Sequence, residues 1–412
     1  PEKVELGAAL VPPYDVVQPS ERAMYYARSP YNAIRLELTR DAGDEASTDY
    51  SEVAETLARW RAEGVLRLDD APSYYVLRQR FSAPGGDRLE RVGFFGALRL
   101  EEYANRVVLP HERTLSGPKA DRLKILRATQ ANLSSVFMLY EDKSETLSAA
   151  LAEALSGSAA VTASDDGGIE HTLAPLADRG ATALIRAFLA DRQVVIADGH
   201  HRYETALNYR EESRGSGARR RDAEGPADRT LAYFTNAYAP GSLLLPIHRV
   251  IPEGPAPSTA EWRARLPGWS MHEVPFPEDV AIDALLEAHL ARHRERPAFA
   301  ADAGDGTLRL FTRPHDEELT IRLVHSEVIG GVLGLDDAAV RDGAVVFKKS
   351  AEVAARAVRE EGASLALYLN ALTPDDVFRV TGAGEVLPQK STFFFPKLPS
   401  GLVFRVHDET RP

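Results

Sequence analysis

Apolar and polar positions alternate along the chain with periods that switch repeatedly between helix and strand, and no internal repeat emerges. Residues 20–28 and 48–63 carry helical spacing, the second with Val53, Leu57 and Trp60 on one face and Gly64 as a stop. Residues 73–82 and 91–100 alternate as strands around Pro84-Gly85-Gly86-Asp87, a hairpin signal. Helix is predicted over 119–130, strand over 135–140 and helix over 144–156. A second hairpin turns at Asp165-Asp166-Gly167-Gly168, and 178–190 reads as helix. The β-branched run Val194, Val195 and Ile196 then ends in Asp198 and Gly199, and Tyr203, Ala206, Leu207 and Arg210 recur at helical spacing. Residues 211–230 read as a loop containing Arg219, Arg220 and Arg221. Pro252, Pro255 and Pro257 mark a boundary, and 259–330 supplies helix and hairpin material with a turn at Asp305-Gly306. A final unit over 350–399 holds a helix with Val353, Ala354 and Val358, a strand over 365–370 and the aromatic segment 388–399. The expected class is α+β with mixed sheets. The turn-rich stretches suggest three regions, 1–140, 141–255 and 256–412.

Composition narrows the chemistry. A hydrophobic share of 44% with 27% charged residues is that of a soluble globular protein, and 412 residues suffice for two or three domains. No apolar run has bilayer-spanning length and no signal peptide opens the sequence, so no membrane partner is expected. The absence of cysteine excludes disulfides, thiolate metal sites and cysteine nucleophiles, and fits a cytoplasmic protein. A net charge of −12 argues against broad binding of nucleic acid or anionic membranes, though a local basic pocket is compatible with it. Because the sequence opens on Pro1, further residues are expected ahead of it.

The densest chemistry lies where the strand ending at Asp198 hands over to a helix. There backbone N–H groups and the positive end of the helix dipole converge on an anion. Gly199 permits close backbone approach, and Arg202 offers a planar fork for phosphate oxygens. His200 and Glu204 share i, i+4 geometry, whereas neighbouring His200 and His201 point about 100° apart and suit one metal ion badly. A divalent ion held by Asp198 and phosphate oxygens would suit magnesium.

Four other segments are too polar for plain connections. Pro12-Pro13-Tyr14-Asp15, continued by Ser29-Pro30-Tyr31-Asn32, places Tyr14 and Asp15 at a defined point. Residues 109–122 bring His111, Glu112, Arg113, Thr114, Ser116, Lys119 and Arg122 ahead of and into a helix start. Ile247-His248-Arg249 closes an apolar strand with a basic pair. In 387–397, Phe393, Phe394 and Phe395 suit a core, while Lys390 and Ser391 suit a phosphate. The phosphate loop, the zinc helix and the serine nucleophile elbow are all absent, and Gly330, Gly331 and Gly334 complete no dinucleotide fingerprint.

The strings at 12–16, 29–32, 109–118, 196–207 and 388–397 resemble the signature blocks of the uncharacterised prokaryotic domain-of-unknown-function family 1015, over essentially the whole chain. Members of that family usually begin with a short strand ahead of position 1 here. The string 198–202, Asp-Gly-His-His-Arg, is similar to the nucleotide-phosphate motif of the ParB/sulfiredoxin-like superfamily, which includes free-serine kinases. That resemblance implies a ParB/sulfiredoxin-like nucleotide-binding core with additional α+β regions, phosphates lying on 199–202, and an acid that activates the acceptor hydroxyl. Asp198 matches the acid of the motif; Glu112 is a second acid chosen from its polar context.

The leading expectation is a small-molecule kinase moving phosphate from ATP or ADP, with Mg2+, to free serine or a related hydroxylated metabolite. Gly199, His200, His201 and Arg202 would hold phosphates, with Lys119, Arg122, Lys390 and Ser391 in support. Asp198 or Glu112 would act as base or magnesium ligand, and His111 as a further proton carrier. Tyr14 and Asp15 would contact substrate, and Arg113 or Arg249 would clamp a carboxylate. The alternatives are a nucleotide sensor without turnover and a nucleotide or phosphoester hydrolase.

Overall fold

Eight strands of the first half assemble into one mixed sheet, and their order explains where its polar ends meet. From edge to edge they run Val108–Pro110, Val194–Asp198, Val136–Tyr140, Arg229–Asn236, Arg88–Arg99, Tyr74–Ser82, Glu170–Leu176 and Val161–Ser164. The first two pair in parallel, as do Val136–Tyr140 and Arg229–Asn236, and the remaining neighbours are antiparallel. The structure is a computed structural model and describes residues 4–40, 48–112, 117–215, 224–314 and 317–407. Both expected hairpins form, one closed by the Ala83 N–H on the Asp87 carbonyl (2.8 Å) and the other by Gly168 on Asp165 (3.1 Å).

The sheet's apolar face is covered by helices whose sequence spacing had marked them. Tyr203, Ala206 and Leu207 on the helix His200–Gly215 join Ile185, Leu151, Phe94, Met138, Ile196 and Phe234 in one buried cluster. Arg210, the fourth residue of that spacing, is buried too, and donates to the Leu100 carbonyl at 2.8 Å. A second cluster gathers Val53, Leu57 and Trp60 of the helix Ser51–Ala62 against Ile125 and Leu133. Gly64 ends that helix at φ +70, the left-handed stop read from the sequence.

The chain divides into two compact units rather than three regions. One comprises residues 1–243, 381–384 and 396–412, the other 244–380 and 385–395. The expected limit at 140 falls inside the eight-stranded sheet, because Val136–Tyr140 pairs with strands on both sides. Turn-rich sequence marks chain reversals, and the one near 140 lies within a single sheet. The second unit is built on a six-stranded antiparallel sheet, in order Ser270–Pro275, Thr307–Thr312, Ala298–Asp302, Leu365–Leu369, His248–Ile251 and Val346–Lys348. The helix Ala351–Arg359 packs Ala354 and Val358 onto it. Residues 211–215, expected as loop, continue the preceding helix. Of the three consecutive phenylalanines only Phe394 is buried; Phe393 and Phe395 are half-buried on a three-residue strand. Among the described residues no helix is long and apolar enough to cross a membrane.

Phe94 is the centre of the first core. It is fully buried, stacks on Phe234 (5.3 Å between centroids) and meets Tyr74 edge-on (5.5 Å). Phe94→Ala is expected to cost about 3–5 kcal/mol of unfolding free energy, read from urea denaturation of the two proteins side by side. A loss below about 1 kcal/mol would mean the sheet does not depend on this packing.

Candidate functional site

Two parallel strands deliver the polar residues to one end of the first unit's sheet. Pro110 pairs with Ile196, so His111 and Glu112 leave one strand beside the point where Asp198 and Gly199 leave the other. Gly199 takes φ +89, which side chains other than glycine rarely adopt. A Cβ there would lie 3.1 Å from the Arg202 Cζ and Nε and 3.4 Å from the Val136 Cα. The glycine is therefore needed twice, for the bend and for the guanidinium folded over it. The helix His200–Gly215 starts immediately after the bend.

The Asp198 carboxylate is held between two cations. Its Oδ2 accepts from Arg202 at 2.7 Å and its Oδ1 accepts from the Lys397 ammonium. Arg202 also donates to the Ser135 carbonyl, and its Nε is buried with no partner among the described residues. Burial works to raise the Asp198 pKa, but Lys397 and Arg202 outweigh it and hold the carboxyl well below the usual range. Burial likewise opposes the charge on Arg202, and Asp198 and Asp15 overcome it. Side-chain exposures of 17% for Asp198, 11% for Arg202 and 21% for Lys397 leave the cluster partly open to solvent. Lys397 was legible only as the last residue of the 387–397 block, where the sequence had pointed to Lys390.

The histidines form the other wall. The His111 and His200 rings meet edge-on, 4.6 Å between centroids. The Ile196 carbonyl, which can only accept, lies 2.5 Å from His111 Nδ1 and so places a proton there. His111 Nε2 is 3.6 Å from Glu112 Oε1. His200 Nε2 accepts from the His111 backbone N–H at 3.3 Å, which requires a neutral ring nitrogen. Burial, then the neighbouring His111, push the His200 pKa down to about 3. His201 is half-buried on the next helical position.

Tyr14 closes the cluster. Arg122 lies over its ring at 4.1 Å and Arg202 at 6.0 Å, and burial raises its hydroxyl pKa against the pull of both. Asp15 is exposed nearby. Arg122, expected as a counter-charge for phosphate, is committed elsewhere: it donates to Asp121 at 2.7 Å, to the Glu37 carboxylate at 3.3 Å and to the Glu37 carbonyl at 3.0 Å. Its charge holds the N-terminal segment together. Arg113 and the Lys119 side chain lie outside the described residues.

Arg249, Lys390 and Ser391 belong to the second unit. Arg249 is fully buried, donates to the Lys390 carbonyl at 3.2 Å and lies 5.4 Å from the Phe347 ring. With Ser391, Asn370 and Arg379 it lines a cleft of about 590 Å³. Ser391 is buried and donates to the Pro388 carbonyl at 2.5 Å, while the Lys390 side chain is exposed.

A resident magnesium at Asp198 does not fit this arrangement. Both carboxylate oxygens already face cations, and among the described residues no group of three His, Asp or Glu side chains is placed to hold a metal. The cluster is organised by positive side chains instead.

Two measurements follow. Gly199→Ala is expected to destabilise the protein by about 1–3 kcal/mol through the strained bend, seen as a lowered unfolding midpoint; an unchanged midpoint would mean the bend relaxes freely. The depressed His200 makes stability fall with acid, because the unfolded chain takes up a proton between its ordinary 6.5 and about 3 that the folded ring refuses. Asp198 adds to the loss only below its ordinary 3.8. His200→Gln should therefore flatten stability against pH between about 6.5 and 3 by up to about 1.4 kcal/mol per unit, measured as urea midpoints across that range. An identical slope would show that the ring protonates in the folded protein.

Comparison with known proteins places this site in context. No curated protein matches the sequence. Among solved structures the chain is similar to a conserved hypothetical protein from Pyrococcus furiosus, with 13% identity over 75% of this chain and 93% of that one, at a TM-score of 0.36. It is similar to a free serine kinase variant in complex with ADP, with 13% identity over 79% and 91%, at 0.37. A third similarity is to SbnI with a C-terminal truncation from Staphylococcus aureus, with 9% identity over 74% and 85%, at 0.36. Such identities and scores transfer no ligand to this chain. The family model described as "Protein of unknown function (DUF1015)" matches residues 1–324, and the chain belongs to that family.

Proposed function

We propose that the first unit binds a nucleoside di- or triphosphate at the bend over 199–202 and transfers a phosphoryl group to the hydroxyl of a small metabolite, serine or a related compound. The observation that carries this reading is the Arg202–Asp198–Lys397 triad at a helix N-terminus, with Glu112 and His111 on the neighbouring strand end. Phosphate oxygens gain from helix N–H groups and from two cations held in place by one carboxylate. Phosphoryl transfer asks little more of a protein than positioned positive charge and an oriented nucleophile.

Proton removal falls to Glu112 or His111 in this reading. Asp198 is held ionised by its two cations and is a poor base; it orients Arg202 and Lys397. His200 is a neutral acceptor. The hydroxyl oxygen attacks the terminal phosphorus, the bond to the leaving nucleotide breaks, and the hydroxyl proton passes to the Glu112 carboxylate or to His111 Nε2. Magnesium enters with the nucleotide as part of the substrate. Arg113 and Lys119 precede or begin the helix Gly117–Thr129 and are proposed to contact substrate and phosphate. A second reading, binding without turnover, is favoured by the same ion-paired Asp198, which already satisfies its cations in the absence of ligand.

Incubation with ATP or ADP, magnesium and a pool of hydroxylated metabolites, followed by mass spectrometry, separates the two: a phosphorylated metabolite supports transfer, and bound but unchanged nucleotide supports the sensor. Arg202→Ala and Lys397→Met should each weaken nucleotide binding by about 10- to 150-fold in calorimetry, the loss of one charge-assisted hydrogen bond. Undiminished affinity in both would remove the bend from the binding site. Glu112→Gln should keep affinity and slow transfer by about 100-fold or more if that carboxylate is the base.

A further inference from the structure

We infer that Gln79 and Arg91, two fully buried polar side chains on adjacent strands of the first unit, are positioning residues that hold Lys397 against Asp198. The inference rests on the proposed role of the triad, and its geometry stands independently of any ligand. Gln79 and Arg91 face each other across the pair Tyr74–Ser82 and Arg88–Arg99, and neither is exposed at all. Arg91 Nε donates to Gln79 Oε1 at 3.1 Å, and its Nη2 donates to the same oxygen and to the Pro396 carbonyl at 2.6 Å. With Oε1 committed as acceptor, the Gln79 amide nitrogen points to the next carbonyl, that of Lys397, at 3.3 Å. Two consecutive carbonyls are thus gripped from the sheet, and the side chain of the second gripped residue ends on Asp198.

The cost of this arrangement argues that it serves position. Arg91 is a cation with no carboxylate partner among the described residues, packed 4.8 Å from the Phe137 ring and 5.9 Å from Tyr233. Burying such a charge is unfavourable unless hydrogen bonds offset it, and an apolar pair of the same volume would serve stability as well or better. Its donors reach a carbonyl 305 residues away in sequence. Phe137, beneath the guanidinium, is the register partner of Asp198. The clamp therefore spans from the strand edge carrying the acid to the segment carrying its lysine.

Lysine reactivity tests the inference on the full chain. Reductive methylation read by mass spectrometry should find Lys397 slow in the wild type. It should react about tenfold faster in Gln79→Met and Arg91→Met, while exposed Lys143 stays unchanged as the sign of an intact fold. Asp198→Asn supplies the rate of a released lysine. If Arg91→Met labels uniformly and has unfolded, the near-isosteric Gln79→Met decides: unchanged Lys397 reactivity there overturns the clamp. Calorimetry with ADP adds a second reading. Gln79→Met should weaken binding in the wild-type background and add nothing to Lys397→Met; an equal additional loss in that background would show that Gln79 does not act through Lys397. Should the wild type bind no ADP, the proposed function fails while the methylation rates still judge the clamp.

Discussion

A carboxylate at the end of a buried strand has to be satisfied, and the way Asp198 is satisfied organises the polar end of the first unit. One oxygen takes Arg202 from the following helical turn and the other takes Lys397 from a segment 199 residues on. Gly199 makes the first contact possible by leaving room for the guanidinium. Gln79 and Arg91 hold the backbone that supplies the second. Neither cation is a surface ornament, since each is mostly buried and shares its partner's desolvation.

A second buried charge network works beside it. Arg122 bridges Asp121 and Glu37, Tyr50 donates to Asp121, and Ser400 donates to Glu37 at 2.8 Å. Arg122 of this network lies 4.1 Å from the centre of the Tyr14 ring, and Arg202 lies 6.0 Å from it. Asn32 adds to the same scaffold by donating to the Ala8 and Leu10 carbonyls at 2.8 and 2.9 Å. The Pro-Pro-Tyr-Asp and Ser-Pro-Tyr-Asn strings are thus explained first by fixing the N-terminal segment, with Tyr14 and Asp15 left at the cluster's rim. Charge in this unit is spent on geometry, and a phosphate reading depends on that geometry being ready before ligand arrives.

The charge states of Asp198 and His200 follow from environment rather than residue type. At Asp198, Lys397 and Arg202 outweigh burial and favour the ionised carboxylate. At His200, burial and the neighbouring His111 disfavour the charged ring. Glu112 and His111, at the end of a different strand, stand 3.6 Å apart beside this pair.

Much of the local structure was legible in the sequence. The helix stop at Gly64, both hairpins, the strand-to-helix handover at Asp198 and Gly199, and the buried face of Tyr203, Ala206, Leu207 and Arg210 follow from apolar periodicity and from glycine at φ positive. The family blocks were legible too, as strings of residues. Lys397, the buried Gln79–Arg91 pair and the commitment of Arg122 to Glu37 and Asp121 were not. They depend on which strands become neighbours and on where the chain returns after the second unit: Arg91 meets a carbonyl 305 residues away, Asp198 a lysine 199 residues away and Arg122 a glutamate 85 residues away. Periodicity records which face of an element is buried; only the assembled sheet decides which charge stands opposite which.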